Sequence, residues 1–344
     1  MNYLPDDCTI LDYFSKTKSD FVDENDSVLN VVIKEGQLNT NAIVEYKGKE
    51  IPAFEFRPDC WSEFIGQTDA KARAKTIIKK YQRGIPAHFL VDGIKGHGKT
   101  TFCELVAKDL NAHIIKRIGK QINIDNLVTI INEINTCPNE TVMLFVDEFD
   151  TMDSDVIKVL NPIIESFKIN DKQIKPFIFA GATINKHILI KNNPDVLDRI
   201  KTHIKFSRYN IAEMKKILTQ YKNKLYSFDT VTEYDIERIA QNSKFNPRTG
   251  IGILEELVVE NNIEQVFKNC KIVNAGLTEF DIKILTILNT SSKAMGANAL
   301  AMRCGLSQDE YLREFEPYLV EYGYINRVPS RIITDKGKQI LEHL

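Results

Sequence analysis

A short glycine-rich segment lies between a continuous apolar run and a helical pattern. The apolar run is HFLVD, the segment at residues 93–100 is GIKGHGKT, and the helical pattern is TTFCELVAKDL. Glycines at the exit of a strand let backbone N–H groups converge on an anion, and the next helix N-terminus adds its dipole. A plain glycine-rich turn is the alternative, but the flanking strand and helix together favour a phosphate-binding loop.

The segment also fits the spacing G-x-x-x-x-G-K-[ST] of nucleotide-binding loops. Lys99 is placed to reach the β- and γ-phosphates, and the Thr100 hydroxyl is placed to ligate Mg²⁺. We therefore expect ATP and Mg²⁺ as cofactors. The loop residues expected to contact the nucleotide are Gly93, Gly96, His97, Gly98, Lys99, Thr100 and Thr101.

Two acidic residues end a second apolar run, VMLFVDEFD. A carboxylate at the carboxyl end of a buried parallel strand faces the ligand crevice, which suits Asp147 to the Mg²⁺ site. Glu148 is suited to polarise an attacking water, which predicts a hydrolase rather than a binding protein. An ordinary strand followed by acidic loop residues is the alternative.

A third apolar run, FIFAGATINK, ends in polar residues that could contact the γ-phosphate or the attacking water. Thr183 is the residue we choose for this position, and Asn185 is the second choice. A polar residue that merely caps the strand end is the alternative interpretation.

The chain is predicted to be an α/β protein with a P-loop core. Between residues 56 and 206, short apolar strands alternate with helices, which is typical of a parallel sheet covered on both faces. Residues 207–274 read as helical, and residues 275–344 read as helices followed by a hairpin, the outline of a winged helix. The five strand candidates are HFLVD, HIIKRI, VMLFVD, FIFAGA and HIKF.

Four domains follow from these patterns. Residues 1–55 carry 5 Lys/Arg and 11 Asp/Glu, and they include a hairpin pattern, NAIVEYKGKEIPAF. The expected domains are an acidic N-terminal extension at 1–55, a nucleotide-binding domain at 56–206, a helical lid at 207–274 and a DNA-binding winged helix at 275–344.

Composition favours a cytoplasmic protein without a membrane partner. The 6 cysteines are scattered and have no metal-ligand spacing, which is typical of free thiols in a reducing compartment. No apolar run reaches the ~18 residues of a membrane span. The first residues, MNYLPDDCTILDYF, have acidic groups where a signal peptide would have basic ones.

Seven segments resemble the RuvB family, the AAA+ motors of Holliday-junction branch migration, over residues 56–344. The segments are WSEFIGQTDAK, GHGKTT, FVDEFD, FAGAT, NPRTGIGIL, GLTEFDIKIL and FEPYLVEYGYINRVPSRIIT. The resemblance implies an AAA+ core with a helical lid and a winged helix. It also implies ATP hydrolysis, self-assembly into a hexameric ring, and action on duplex or branched DNA.

The resemblance assigns further residues to the nucleotide site. Phe64 and Ile65 would wall the adenine, and Thr183 would be the first sensor of the γ-phosphate. Arg248 in NPRTG would be the second sensor, reaching the γ-phosphate from the lid.

Other assignments concern a neighbouring subunit and DNA. Arg199 in VLDRI would be the arginine finger that enters a neighbour's site, and Arg327 and Arg331 would meet DNA phosphates from the wing. The family has a second arginine where this chain has Leu197, and a second threonine where it has Ile184. The C-terminal unit as a whole is not basic, so a winged helix that binds protein is the alternative.

A long hairpin before the first sensor engages the junction-recognition protein RuvA in the family. Here only residues 168–175 separate Phe167 from Pro176, and most of the eight are polar. Eight residues can form a stub but not an apolar platform. We therefore expect no docking of a RuvA-type partner through this hairpin, and the acidic segment 1–55 is the alternative recruitment site.

Three functions are consistent with the sequence. The first is an ATP-driven ring motor that branch-migrates or translocates duplex DNA in recombination, repair or replication. The second is an ATP-gated loader or assembly switch, and the third is a regulatory DNA-binding protein. Glu148 and Arg199 favour the first two.

Overall fold

The structure is a computed structural model of the 344-residue chain. It divides into two compact units, Met1–Phe56 and Arg57–Leu344. The described residues are 43–46, 49–52, 57–169, 172–225, 231–291, 293–327 and 329–343.

Thirteen strands and fifteen α-helices lie within the described residues. The strands are β1 (Ile43–Tyr46), β2 (Lys49–Pro52), β3 (Phe89–Asp92), β4 (His113–Ile118), β5 (Val142–Asp147), β6 (Lys168–Ile169), β7 (Lys172–Gln173), β8 (Ile178–Thr183), β9 (Thr202–Lys205), β10 (Ile272–Asn274), β11 (Leu277–Thr278), β12 (Ile325–Asn326) and β13 (Ile332–Ile333). The helices are α1 (Thr68–Gln82), α2 (Lys99–Asp109), α3 (Ile124–Thr136), α4 (Ser154–Ser166), α5 (Lys186–Asn192), α6 (Val196–Arg199), α7 (Ile211–Leu225), α8 (Glu233–Asn242), α9 (Pro247–Glu260), α10 (Ile263–Asn269), α11 (Glu279–Thr290), α12 (Ala297–Cys304), α13 (Gln308–Glu310), α14 (Glu316–Glu321) and α15 (Asp335–Glu342).

In the first unit, β1 and β2 pair antiparallel, with Tyr46 opposite Lys49. This pairing is the hairpin that the apolar alternation predicts. The remainder of the acidic segment lies outside the described residues.

The second unit contains a five-stranded parallel sheet in the order β4-β5-β8-β3-β9. All five strand candidates are present, and the predicted α/β fold class is confirmed. Successive side chains of β3 enter opposite faces of the sheet. Leu90 packs into the core beneath α3 and α4, whereas Phe89 and Val91 pack into the core beneath α1 and α2. Both faces are buried, and this is why the strands read as continuous apolar runs.

The lid helices α7 to α10 follow the sheet. The helical spacing in RTGIGILEELVVENNIEQVF extends over two helices rather than one. Asn261 adopts the left-handed conformation (φ 54°) after α9, and the Asn262 side chain accepts hydrogen bonds from Glu264 and Gln265 at the start of α10. Asparagine tolerates the left-handed conformation and is also a favourable N-cap residue. Asn261 therefore ends α9, and Asn262 begins α10.

The predicted winged helix is confirmed in the C-terminal part of the second unit. Helices α11 to α14 are followed by the hairpin β12–β13 and by α15. We call the hairpin β12–β13 and its connecting residues the wing. Met295, near the end of the α11–α12 connection, forms an antiparallel backbone bridge with Arg331 of the wing. None of the helices in the described part of the chain is long and apolar enough to cross a membrane.

The hairpin before β8 is a stub. Its arms β6 and β7 have two residues each, with Lys168 opposite Gln173 and Ile169 opposite Lys172. Ile169 is the apolar member of the arms, and its side chain packs back against the core. The described arms therefore present polar side chains to solvent.

A buried ion pair fixes the wing to the body of the winged helix. Glu316 has 3% of its side chain exposed and Arg331 has 11%. The Arg331 Nη2 donates to Glu316 Oε2 at 3.1 Å, and the Nε donates to Oε1. Arg327 lies at the rim of this pair, with Nε 3.5 Å from Glu316 Oε2 and 56% of its side chain exposed.

We expect Arg331→Ala to lower the free energy of unfolding by about 3 kcal/mol, because Glu316 would keep a buried charge without its main partner. Arg327→Ala should cost less than about 1 kcal/mol, since exposed ion pairs contribute little. Urea unfolding of the purified protein measures both. Equal losses for the two variants would contradict this difference. The double variant Glu316→Leu/Arg331→Met, which removes both charges, should recover part of the loss.

Candidate nucleotide-binding site

The glycine-rich loop between β3 and α2 is wrapped closely by its neighbours. Gly96 and Gly98 have φ angles of 83° and 90°, a region that disfavours other residues. A Cβ on Gly96 would lie 2.4 Å from Asn246 Oδ1, and one on Gly98 would lie 3.0 Å from the Phe64 ring. Glycine is therefore required at both positions by backbone conformation and by space.

Lys99 is the buried cation of the loop. Its ammonium donates to the Gly93 carbonyl at 2.6 Å and to the Ile94 carbonyl at 3.0 Å. Burial lowers the pKa of Lys99, and the carboxylates of Asp147 and Asp92 oppose this change. The lysine thus presents a point charge inside the loop, surrounded by groups that favour its charged form.

Thr100 and Asp147 form the oxygen pair expected for Mg²⁺. The Thr100 hydroxyl donates to Asp147 Oδ2 at 3.3 Å, and Asp147 Oδ1 accepts from the Glu148 amide at 2.9 Å. Hydroxyl and carboxylate oxygens fit Mg²⁺, which usually keeps water and phosphate ligands beside one or two protein groups. The described residues contain no group of three or more His, Cys, Asp or Glu that could hold a metal.

Glu148 follows the strand in a strained backbone conformation. Its φ of 49° is left-handed, and its side chain is exposed at the site. The Glu148 carbonyl accepts from the amide of Thr151 at 2.8 Å and from the hydroxyl of Thr151 at 2.7 Å. A Cβ on Gly119 would lie 2.5 Å from the same carbonyl. Neighbouring groups therefore hold Glu148 in a conformation that it would not adopt alone.

Thr183 lies at the end of β8 and is 1% exposed. Its hydroxyl donates to Asp150 Oδ1 at 2.7 Å and accepts from the Asn185 amide at 3.0 Å. The sequence reasoning missed Asp150. The third acidic residue of VMLFVDEFD was its only signal.

Asp92, at the end of β3, was also missed. Burial raises the pKa of the Asp92 carboxyl, while the cations Lys186, Lys205 and Lys99 oppose this change. Because Asp92 pairs in register with Thr183, the two neighbouring strand ends bring their polar side chains to the same edge.

The lid contacts the loop through the start of α9. Asn246 Nδ2 donates to the Lys95 carbonyl at 2.9 Å, and its Oδ1 accepts from the Arg248 amide at 3.0 Å. A Cβ on Gly96 would lie 3.0 Å from the Arg248 Cβ, and the Arg248 side chain is exposed. The structure thus brings Arg248 to the loop. Asn246, the residue that caps α9, was missed although the Asn-Pro pair signals a helix start.

Phe64 and Ile65 differ in how much surface they offer. Phe64 is 3% exposed and packs against Phe102 and Phe206 in the core. Ile65 is partly exposed. Of the two residues expected to wall an adenine, Ile65 has the more accessible side chain.

Two residues after β9 contact the residue before α1 and the glycine-rich loop. The Ser207 carbonyl accepts from Gln67 Nε2 at 2.7 Å, and the Ser207 amide donates to Gln67 Oε1 at 3.1 Å. The Tyr209 hydroxyl donates to the His97 carbonyl at 3.0 Å, and the two rings lie 5.6 Å apart. Burial lowers the pKa of His97 to about 4. His97 therefore lies against the segment after β9 with a neutral ring, and Thr101 is buried as well.

Arg208, between these two residues, contacts the winged helix. Its guanidinium lies 5.7 Å from the Tyr318 ring and 5.6 Å from the Tyr322 ring, and it pairs with Glu321. It also donates to the Lys244 carbonyl at 3.3 Å. One three-residue segment thus contacts both the nucleotide loop and the winged helix.

Arg199 lies away from the loop of its own chain. Its Nε donates to Glu165 Oε2 at 3.2 Å. It precedes β9, whose first residue, Thr202, pairs with Phe89 at the amino end of β3. The glycine-rich loop follows the carboxyl end of β3, so Arg199 lies at the opposite end of these strands.

The two wing arginines are not equivalent. Arg331 was expected to meet DNA phosphates, but its guanidinium is held inside the domain by Glu316. This expectation is revised, because a buried bidentate pair leaves little of the guanidinium for a phosphate. Arg327 is the wing arginine with an exposed side chain.

Comparisons with known proteins agree with this geometry. The family model for the Holliday junction DNA helicase RuvB P-loop domain matches residues 56–191. The model for the RuvB C-terminal winged helix domain matches residues 274–342.

Curated relatives and solved structures belong to the same family. The chain is similar to the Holliday junction branch migration complex subunit RuvB of Mycoplasma genitalium, with 26% identity over 83% of this chain and 97% of the relative. For the Thermotoga maritima protein of that name, identity is 28% over 83% of this chain and 92% of the relative. The crystallised Thermotoga maritima RuvB branch migration motor has a TM-score of 0.73, 27% identity, and coverage of 83% of this chain and 98% of that one. The chain is therefore a RuvB-like AAA+ protein.

Proposed function

We propose that this protein is an ATP-hydrolysing ring motor that moves duplex or branched DNA, as in branch migration. The observation that carries the proposal is the meeting of Lys99, the Thr100–Asp147 pair and Glu148 at one edge of the sheet. The lid contacts the same loop through Asn246. A nucleotide-binding protein needs Lys99 and the Thr100–Asp147 pair, whereas a hydrolase also needs Glu148.

The chain's own groups would hold ATP and Mg²⁺. The loop amides and Lys99 would bind the phosphates, and Thr100 with Asp147 would hold the ion. Bound together, ATP and Mg²⁺ supply a γ-phosphoryl group with a partly neutralised charge, whose transfer to water releases the free energy for movement.

Glu148 would orient the attacking water and accept its proton. This role needs a carboxylate that is exposed to the site, fixed in direction and adjacent to the metal ligand. The Glu148 side chain is exposed, and hydrogen bonds from Thr151 to its carbonyl fix its backbone. The hydrogen bond from the Glu148 amide to Asp147 keeps it next to the proposed metal ligand. Arg248 would respond to the γ-phosphate from the lid. Thr183, at the end of β8, would respond to it through its neighbours, because Asp150 accepts its hydroxyl proton.

Ring assembly would complete the site, and a hexamer is the assembly that we propose. Arg199 lies too far along the sheet to serve the loop of its own chain. Its side chain is 32% exposed and its partner Glu165 is 61% exposed, so a neighbouring subunit could displace that pair. Arg199 would then add its charge to the neighbour's transition state.

The wing would contact DNA through Arg327, whose exposed side chain can neutralise a phosphate. The stub at β6–β7 supports the expectation that no RuvA-type partner docks there. A cytoplasmic location belongs to the same proposal, and five described cysteines with free thiols support it.

Lys99 and Glu148 should fail in different ways. Lys99→Ala removes a point charge from the phosphates, so nucleotide affinity should fall. Glu148→Gln keeps the shape and loses the base, so nucleotide should bind with near-normal affinity while turnover falls by at least about 10²-fold. Nucleotide titration and phosphate release measure the two effects. Exposed Glu140→Gln is the matched control, and wild-type turnover in Glu148→Gln would refute the catalytic assignment.

Arg199→Ala should lower turnover by roughly 10³-fold. Mixing Arg199→Ala protein with Glu148→Gln protein should restore part of the activity, because some interfaces then join an intact arginine to an intact base. Steady-state hydrolysis over a series of mixing ratios measures the rescue. Glu165→Gln, which removes only the partner of Arg199, should keep activity. Absence of rescue in mixed assemblies of normal size would argue against a shared site.

Arg327→Ala should weaken DNA binding about equally for all sequences and lower the salt slope by about one, because one counterion fewer is released. Arg303→Ala, an exposed arginine of the same domain outside the wing, is the control. Fluorescence anisotropy at several salt concentrations gives both quantities. An unchanged slope would indicate that the wing contacts protein instead.

A further inference from the structure

Asp150 is a carboxylate at the sheet edge that has no place in the proposed mechanism. It lies in the short turn Phe149–Thr151, two positions after Glu148. Its Oδ1 accepts from the Thr183 hydroxyl at 2.7 Å and lies 3.4 Å from the Ile184 amide. The carboxylate thus joins the turn that carries Glu148 to the end of the neighbouring strand β8.

The protons around Thr183 can be counted. A threonine hydroxyl has one proton to donate, and Thr183 donates it to Asp150. The hydroxyl also accepts from the Asn185 amide at 3.0 Å. In this arrangement Thr183 has no proton for a γ-phosphate oxygen. Its hydroxyl works as a structural link between Asp150 and the strand end, which modifies the sensor role expected from the sequence.

The turn needs such a link because Glu148 is strained. A non-glycine residue at φ 49° is in an unfavourable backbone conformation, which persists only where its surroundings fix it. On one side, Phe149 is fully buried and packs 5.1 Å from the Phe179 ring. On the other side, the contact with β8 is polar and runs through Asp150. Loss of Asp150 would leave the turn anchored to β8 by the phenylalanine alone.

We propose that Asp150 is a positioning residue for hydrolysis: its bond to Thr183 fixes the turn from which Glu148 faces the water. This inference rests on the proposed function, because it presumes that Glu148 is the base. Asp150 touches neither water nor phosphate in this role. It keeps the Glu148 turn and the end of β8 in one fixed relation.

The first test needs no nucleotide. Hydrogen exchange by mass spectrometry should be faster in Asp150→Ala than in wild type, at residues 148–152 and 183–186, and unchanged elsewhere in the sheet. Thr183→Val, which keeps the shape and removes the hydroxyl, should give the same local pattern. Asp155→Asn removes an exposed carboxylate nearby and should change neither segment. Unchanged exchange in Asp150→Ala would overturn the inference.

The second test separates positioning from binding. Asp150→Ala should lower kcat by roughly tenfold to a hundredfold, since small misplacements of a catalytic group have effects of this size. The KM for ATP and the nucleotide affinity should stay near wild type. Asp150→Asn, whose amide oxygen can still accept from Thr183, should recover most of the activity. If Asp150→Ala does not fold, Asp150→Asn and Thr183→Val carry the same comparison.

A double-mutant cycle decides whether Asp150 acts through Thr183. The Asp150→Ala/Thr183→Val protein should be no slower than the slower single variant, because both remove one shared link. Multiplicative losses would overturn the inference. Glu148→Gln distinguishes failure of the positioning role from failure of the proposed function. If that variant is inactive while Asp150→Ala is fully active, the positioning role alone is wrong; if Glu148→Gln is active, the proposed function itself is wrong.

Discussion

The register between β3 and β8 decides where the glycine-rich loop meets the polar end of β8. Asp92 pairs with Thr183, and the Gly93 amide then donates to the Thr183 carbonyl at 3.1 Å. The first residue of the glycine-rich loop is therefore hydrogen-bonded to the end of β8. With β5 on the other side of β8, Asp147 joins the same edge. Because all these strands are parallel, their carboxyl ends cannot separate without breaking the sheet.

The segment after β9 extends this constraint to the other domains. Ser207 is held by Gln67, and Tyr209 is held by the carbonyl of His97. Arg208 lies between them, against two tyrosine rings of the winged helix. The structure thus contains a short path of contacts between the nucleotide site and the domain proposed to contact DNA. It runs from the His97 carbonyl to the Tyr209 hydroxyl, along the chain to Arg208, and from Arg208 to the two tyrosine rings.

The sequence predicted what depends on local patterns. Apolar runs located the five strands, and glycine, lysine and threonine spacing located the loop. It missed the groups that matter through distant partners. Asp150 and Asp92 look like ordinary acidic residues until folding places them beside Thr183 and Lys99. Arg331 reads as a surface cation, but Glu316 lies fifteen positions earlier and becomes its partner only when the wing folds back. No local pattern records such contacts.

The balance of charge at the sheet edge explains why these residues belong together. Lys99 is buried among three carboxylates, Asp147, Asp92 and Asp150. Each carboxylate favours the charged form of Lys99. Arg248, Lys186 and Lys205 are further cations that act on these groups. The three carboxylates would still repel the phosphate oxygens of a nucleotide that entered alone, in a region of low dielectric. The site therefore suits a nucleotide whose charge is already reduced by a divalent cation, and the Thr100–Asp147 pair is where that cation would be held.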